Sequence, residues 1–438
     1  MNVRITSLLA LAACALSAHA EPDKDRLTLH AAVSHPVVMC DRPQTIYIRV
    51  GLTGFDIEGR PSRAPVNLAI VIDRSGSMSG EKIERAKEAA AMAVNRLNPE
   101  DIVSVIAYES QVQVILPATK VRDKDMILDR IRRIHPGGST ALYSGVEAGA
   151  EEMRKFLSAH RVNRMILLSD GLANVGPSGA DDLGRLGERL IRDGISVTTV
   201  GLGLGYNEDL MTQLAYRSDG SHYFAERACD LVKVFDNELG RALSVVAQQI
   251  EIEIRLGGGI RPVRVFGREG RIDGQSIFVS INQIYSRHEK YVLIEAEAPT
   301  GTRGRVLPVA TVAVRYDNLQ TRDRDTLGGE LRIRYDASES AVEANLDRTV
   351  MVDVTEQIAT ERNEYALTLR DQGKLEEARQ VLTGNAAYLY ENADLYQSDR
   401  LRSYGEQNGE AGRNLDEAGW LRQRKVMREQ QAEKRYQR

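Results

Sequence analysis

The sequence has few cysteines, no long apolar run after its first twenty residues and no excess of basic residues. Three cysteines in 438 residues exclude a disulfide-rich scaffold. No stretch beyond residue 20 reaches the length of a membrane span. Acids outnumber bases by 62 to 58, which argues against nucleic acid as the main partner. The length predicts two to four domains.

Sequence motifs of several common enzyme classes are also absent. There is no Gly-x-Ser-x-Gly nucleophile elbow and no P-loop with its lysine. Gly201-Leu-Gly-Leu-Gly205 lacks the spacing of a dinucleotide-binding loop and predicts a tight turn instead. His135 and His222 have no cysteine or histidine partner at zinc-binding spacing. We therefore expect a non-catalytic protein.

Residues 1–20 have the pattern of a secretory signal peptide. Arg4 supplies the positive charge, an apolar segment follows, and Ala18-His-Ala20 provides small residues for cleavage. The pattern predicts an exported protein that is periplasmic, secreted or associated with the cell envelope. Leu11-Ala-Ala-Cys14 offers an alternative, a lipid anchor at Cys14, but the apolar segment continues past this cysteine, which favours soluble export.

Removal of the signal would leave two cysteines, Cys40 and Cys229. In an oxidising compartment they can form one disulfide, and two buried free thiols are the alternative. The sequence leaves both open.

The patterning of the remaining chain changes three times. Residues 21–65 alternate as antiparallel strands do, and residues 66–244 alternate between buried strands and amphipathic helices. Residues 245–340 return to β alternation, and residues 341–438 are helical and polar. We predict a doubly wound, Rossmann-like α/β domain inserted in a β-sandwich, followed by a C-terminal helical region.

The C-terminal region contains one helix pair of tetratricopeptide type, which predicts a helical hairpin packed on the rest of the chain. From Trp420 onward, seven lysines and arginines face two acids. This excess favours a solvated, frayed terminal helix, and a basic patch for an acidic partner is the alternative.

The most informative stretch follows the apolar run over residues 66–72. That run predicts a buried parallel strand, and it ends in Asp73-Arg-Ser75-Gly-Ser77. Thr140 lies in a second loop, and Asp170 follows a second apolar strand in Ser-Asp-Gly. Open α/β sheets bind ligands at the carboxyl ends of their strands. Hydroxyl and carboxylate oxygens suit a small, hard cation such as Mg²⁺.

Helix capping is the alternative explanation for the first of these loops. Serine and aspartate are favoured immediately before a helix, and a helical pattern follows Ser77. Capping accounts for one of the three residues, but it does not account for Thr140 and Asp170 as well. The five residues together therefore favour metal binding.

With these three loops in place, residues 66–244 resemble a von Willebrand factor type A domain with its metal-ion-dependent adhesion site. The resemblance implies that Ser75, Ser77 and Thr140 offer hydroxyl oxygens to the ion and that Asp73 and Asp170 supply negative charge. It implies Mg²⁺ (or Mn²⁺ or Ca²⁺) as cofactor and a protein partner that supplies an aspartate or glutamate. The overall layout is similar to bacterial secreted members of the family and to inter-alpha-trypsin inhibitor heavy chains.

Two other functions stay open at this point. In the first, the protein is a component of envelope assembly or a scaffold, and the metal only stabilises the fold. A metal-assisted hydrolase is less favoured, because a phosphatase with an aspartate nucleophile would want a second carboxylate at position 75, where this chain has serine. The family resemblance also implies that the last helix of the domain, about residues 230–243, moves when the site is occupied.

Overall fold

The computed structural model describes residues 24–57 and 63–437. The predicted signal peptide at residues 1–20 and the lipidation cysteine Cys14 lie outside these ranges. Within them, no helix combines the length and the apolar character needed to cross a membrane.

The first three strands do not form a sheet on their own. They pair with strands that follow much later in the chain. Their bounds are β1 (Thr28–Val33), β2 (Val37–Met39) and β3 (Gln44–Thr53). The short β2 was not predicted from the sequence.

The α/β domain follows. Its strands are β4 (Val66–Asp73), β5 (Ile102–Tyr108), β6 (Val112–Lys120), β7 (Val162–Ser169), β8 (Ile195–Leu202) and β9 (His222–Ala225). Its helices are α1 (Glu81–Arg96), α2 (Lys124–Arg132), α3 (Leu142–Arg154), α4 (Ala180–Arg192), α5 (Glu208–Arg217) and α6 (Asp230–Leu243).

The six strands form one sheet in the order β6-β5-β4-β7-β8-β9. All neighbouring pairs are parallel except β5 and β6. Helices α1, α2 and α6 cover one face, and α3, α4 and α5 cover the other. Because both faces are covered, β4, β5, β7 and β8 are buried along their whole length, as their continuous apolar runs predict. The predicted doubly wound fold is confirmed.

A β-sandwich completes the N-terminal strands. Its later strands are β10 (Val245–Leu256), β11 (Arg261–Phe266), β12 (Gly270–Asp273), β13 (Ser276–Tyr285), β14 (Glu289–Ala298), β15 (Val306–Asn318) and β16 (Arg324–Asp336). One sheet has the order β1-β3-β14-β11 and the other β12-β13-β10-β15-β16-β2. Since β3 pairs with β14 and β2 pairs with β16, the α/β domain is inserted in the sandwich, as predicted.

In the described part of the chain, five helices follow the sandwich: α7 (Glu339–Ala344), α8 (Arg348–Asp371), α9 (Leu375–Tyr396), α10 (Asp399–Arg413) and α11 (Glu417–Tyr436). Apolar side chains of α8, α9, α10 and α11 share two small cores, so the region is larger than the predicted hairpin. Gly373, with φ of 81°, makes the turn from α8 to α9.

The prediction of a solvated, frayed terminal helix is wrong. In α11, Lys425 is 1% exposed, and its Nζ donates to the carbonyl oxygen of Tyr206 at 2.8 Å and to Glu208 Oε2 at 2.5 Å. The neighbouring Arg424 also pairs with Glu208 and donates to Asp209 Oδ2 at 2.6 Å. Lys425 and Arg424 of α11 therefore bind acids at the start of α5, and the helix ties the C-terminal region to the α/β domain.

The predicted alternative of a disulfide between Cys40 and Cys229 is also wrong, because both are free thiols. Cys40 lies in the sandwich, where its N–H donates to the carbonyl of Asp336 and its carbonyl accepts from Gly301. Cys229 precedes α6 in the α/β domain and is exposed. Because Cys229 is exposed and Cys40 is only partly buried, the alternative of two buried thiols is wrong as well.

Candidate functional site

The strand order of the α/β sheet reverses between β4 and β7, and the predicted site residues lie at that point. From β4 the chain proceeds outward through β5 and β6, then returns to β7 on the other side. The adjacent loops at such a reversal diverge and leave a crevice at the carboxyl edge of the sheet. Asp73 ends β4, and Asp170 directly follows β7.

Asp73 lies at the bottom of this crevice and is fully buried. Its Oδ1 accepts from the backbone N–H of Ser75 at 2.8 Å, and its Oδ2 accepts from the hydroxyl of Ser169 at 2.8 Å. Burial raises the pKa of Asp73, and the hydrogen bonds from Ser75 and Ser169 oppose that rise. Among the described residues, no lysine or arginine pairs with this carboxylate. The charge of Asp73 is thus held by neutral donors.

A chain of side-chain hydrogen bonds joins the first loop to Asp170. Ser75 Oγ lies 3.0 Å from Ser77 Oγ, and Ser77 Oγ donates to Asp170 Oδ1 at 2.7 Å. The second oxygen of Asp170 accepts from Lys82 Nζ at 2.5 Å. Asp170 and Ser75 are each 2% exposed, whereas Ser77 is exposed to solvent. The site therefore opens to solvent on the Ser77 side.

Helix capping does not explain the two serines. The short 3₁₀ turn at Gly76–Met78 has Ser75 at its N-cap position, without a side-chain capping bond. Helix α1 begins after Gly80, again without a side-chain cap. The hydroxyls of Ser75 and Ser77 are directed instead to each other and to Asp170.

Thr140 is brought to the same place by its own loop. The N–H of Gly76 donates to the carbonyl of Gly138 at 3.0 Å, which ties the loops together. A Cβ atom placed on Gly171 would lie 3.3 Å from Thr140 Oγ1 and 3.4 Å from Ser77 Oγ. Both hydroxyls therefore border one small space, which the missing side chain of Gly171 leaves open. The structure brings all five predicted residues together.

Three further residues support the site and were not predicted from the sequence. Ser169 holds Asp73, Lys82 pairs with Asp170, and the side chain of Asn174 accepts from the N–H of Thr140 at 2.8 Å. Ser169 and Asn174 lie on either side of Asp170 in sequence, and Lys82 lies in the first turn of α1, shortly after Ser77. Their closeness in sequence to the predicted site residues is the signal that could have indicated them.

The donors are chemically suited to a hard divalent cation. Three hydroxyls and two carboxylates offer only oxygen, and Mg²⁺ accepts oxygen ligands and retains part of its water shell. The described ranges contain no cluster of three or more histidine, cysteine, aspartate or glutamate residues placed to hold a metal. A site of this hydroxyl-rich kind is therefore the best fit to a metal in the part of the chain that the structure describes.

The last helix of the domain is fixed by a buried ion pair. Glu238 of α6 and Arg164 of β7 are both fully buried, with Arg164 Nη1 3.0 Å from Glu238 Oε1. The same oxygen accepts from Thr198 Oγ1 at 2.6 Å. Arg164 also donates to Tyr285 of the sandwich at 3.1 Å. Any movement of α6 has to carry or break this network.

Fold and site together define an α/β domain whose oxygen ligands lie at the reversal of the strand order. Residues 67–237 match the family model of the von Willebrand factor type A domain. Residues 67–237 therefore form a von Willebrand factor type A domain. Domains of this kind commonly mediate protein–protein interaction, and this chain has a domain suited to such a role.

Among relatives, the chain is 32% identical over 173 residues to uncharacterized protein sll0103 of Synechocystis sp., covering 40% of each chain. It is 28% identical over 172 residues to inter-alpha-trypsin inhibitor heavy chain H3 of Pongo abelii, covering 37% of this chain and 19% of that protein. The chain thus spans less than half the length of these relatives.

One solved structure shares the architecture over nearly the whole length. It is a von Willebrand factor type A protein from Catenulispora acidiphila, with a TM-score of 0.74 and 15% identity, covering 93% of this chain and 98% of that one. At this identity the likeness shows the fold alone. It extends beyond the α/β domain to the sandwich and the helices.

Proposed function

We propose that this protein is an exported, non-catalytic binding protein. Its α/β domain would hold Mg²⁺ (or Mn²⁺ or Ca²⁺) with Asp73, Ser75, Ser77, Thr140 and Asp170. It would recognise a protein partner through an aspartate or glutamate side chain. The observation that carries the proposal is that three loops bring five oxygen-bearing side chains together at the reversal of the strand order, with Thr140 and Ser77 bordering the space beside Gly171.

The charge of the site supports an acidic ligand. A bound cation would supply a positively charged coordination position. The chain contributes two carboxylates, one already paired with Lys82, and three neutral hydroxyls. The ligand set thus leaves net positive character for an incoming carboxylate. Metal and partner would then bind with positive coupling.

The absence of catalytic activity is part of the proposal. Histidine is the commonest general base in enzymes, and His222 is a buried histidine of the α/β domain. Burial lowers the pKa of His222 to about 3. Its ring nitrogens lie 2.9 Å from Thr199 Oγ1 and 3.3 Å from the Tyr206 hydroxyl, so it has a structural role.

The sequence pattern of residues 1–20 supports export, and soluble export is favoured over a lipid anchor at Cys14.

The first experiment measures metal binding and partner binding together. Mg²⁺ binding is followed by calorimetry on the whole chain and on Asp73→Ala. In a second assay the whole chain or Asp73→Ala is immobilised, envelope proteins are captured on it in Mg²⁺, and they are eluted with a chelator. We expect Asp73→Ala to lose both metal binding and chelator-sensitive capture. Capture that is unchanged by chelator and by Asp73→Ala would exclude metal-mediated adhesion.

The alternative, an assembly or scaffold component with a structural metal, predicts a different result. Mg²⁺ would then raise the unfolding temperature strongly, whereas partner binding would not respond to Asp170→Ala. The hydrolase hypothesis is tested by a screen of the wild-type protein for hydrolysis in Mg²⁺. Rates no higher than those without protein would exclude it.

A further inference from the structure

Two leucines are exposed on the loops that border the site. Leu172 is 60% exposed and Leu204 is 47% exposed. Leu172 follows Asp170-Gly171, and Leu204 lies in the loop after β8, the neighbour of β7 in the sheet. Exposed apolar surface that polar residues border is a common mark of a protein interaction site.

The loop that carries Leu204 is packed tightly against the site. A Cβ atom on Gly205 would lie only 2.9 Å from the carbonyl oxygen of Asp170. A Cβ on Gly201 would overlap the ring of Tyr206, and Gly203 has φ of 70°. Glycine at position 205 therefore lets the backbone of this loop approach Asp170. Leu204, between two glycines, is left pointing to solvent.

The exposure of Leu204 contrasts with the burial of the leucine that ends β8. Leu202, two residues earlier in the strand, is 1% exposed and belongs to the core. Leu172 also stands out, because its neighbours Asp170 and Thr140 are buried polar ligands of the proposed metal site. The rim of the site thus offers apolar surface directly beside the position where a carboxylate would bind.

We propose that the partner presents an extended segment in which an aspartate or glutamate is followed or preceded, within one to three residues, by a large apolar side chain. The carboxylate enters the site beside Gly171, and the apolar side chain packs on Leu172 and Leu204. This inference rests on the proposed function and adds the second determinant of specificity. An acidic partner without an apolar neighbour would bind weakly.

The expected contribution is about tenfold in affinity for each leucine. A tenfold change corresponds to about 1.4 kcal/mol. This is less than the full burial of a leucine side chain, as suits residues that are about half exposed.

The test uses displayed peptide libraries rather than an unidentified partner. One library has a fixed central glutamate and random flanking residues, and a second has a fixed central glutamine. Both are selected on the whole chain in Mg²⁺ and eluted with chelator. The variants are Leu172→Ser with Leu204→Ser, and Leu395→Ser as matched control. Leu395 is 60% exposed on α9, in the C-terminal helical region.

We expect the glutamate library to yield peptides enriched in leucine, isoleucine, methionine or phenylalanine beside the glutamate, both on wild type and on Leu395→Ser. The double variant should lose this enrichment and still retain glutamate peptides. If the wild type selects glutamate peptides whose flanking residues are no more apolar than those of the unselected library, the apolar determinant is overturned and the proposed function stands. Equal recovery from the glutamate and glutamine libraries, including no recovery from either, would overturn the proposed function and this inference together.

Discussion

Replacing Lys82 by methionine is expected to increase the affinity of the site for Mg²⁺. In the structure Lys82 Nζ contacts Asp170 Oδ2 at 2.5 Å. The Asp170 side chain is fully buried, whereas that of Lys82 is 38% exposed. The ammonium group therefore neutralises a carboxylate that the cation also needs. Binding of the cation has to displace Lys82 or share Asp170 with it.

The magnitude follows from the burial of this pair. Exposed pairs contribute up to about 1 kcal/mol, and breaking a buried pair costs about 3–5 kcal/mol. A pair with one buried partner lies at about 1–2 kcal/mol between these limits. Lys82→Met should thus lower the free energy of unfolding by about 1–2 kcal/mol without Mg²⁺ and tighten Mg²⁺ binding by about 5- to 30-fold. Saturating Mg²⁺ should largely remove the stability difference.

The assay combines calorimetry with urea unfolding, each with and without Mg²⁺. Arg85→Met is the matched control, because Arg85 lies on the same helix, is 40% exposed and, within the described part of the chain, pairs with Glu81 and Glu88. Unchanged Mg²⁺ affinity in Lys82→Met, or an equal gain in Arg85→Met, would refute the competition between ammonium and cation.

Three further predictions concern the site, the last helix and the terminal helix. Gly171→Ala should weaken Mg²⁺ binding about tenfold by calorimetry, since its Cβ would enter the space between Thr140 and Ser77. Gly137→Ala, whose Cβ meets no atom within 4 Å, should not, and equal losses would remove the steric argument. Glu238→Gln should lower the free energy of unfolding by about 3–5 kcal/mol in urea, because Arg164 is left without its buried partner. The exposed Asp236→Asn on the same helix should cost less than about 1 kcal/mol, and similar costs would contradict the role of the buried pair. Burial raises the pKa of Glu429 on α11 to about 7, so the folded state binds an extra proton and stability should fall as pH rises from about 4.5 to 7. Glu429→Gln should flatten this part of the pH profile by about 1–3 kcal/mol in urea titrations, and an unchanged slope would exclude Glu429 as its source.

The site was predictable because its residues follow strands with strong local patterns. The apolar runs before Asp73 and Asp170 indicate buried parallel strands, and the carboxyl ends of such strands meet at one edge. The pairing of Lys82 with Asp170 was harder to predict, because it depends on how α1 begins after the 3₁₀ turn.

Other elements depend on distant partners and gave little local signal. Strand β12 is four exposed residues whose extended form comes from pairing with β13, and three of the six residues of β11 are exposed as well. The basic residues of α11 look solvated in sequence, because the acids that bind them lie in other elements. Arg424 and Asp209, for example, are 215 residues apart. Local patterning cannot reveal such a pairing.

The insertion of the α/β domain also sets the order in which the chain can fold during synthesis. Arg49 of β3 and its ion-pair partner Glu289 of β14 are separated by 240 residues. At about 5–20 residues per second, the ribosome needs roughly 10–50 s to deliver β14 after β3. The α/β domain, with all its strands between Val66 and Ala225, can form in that interval. Strand β3 meanwhile has an unpaired edge, which is a template for aggregation. The sandwich should therefore close after the α/β domain. Slower synthesis of its late strands should lower the yield of fully folded protein, whereas the α/β domain should still fold.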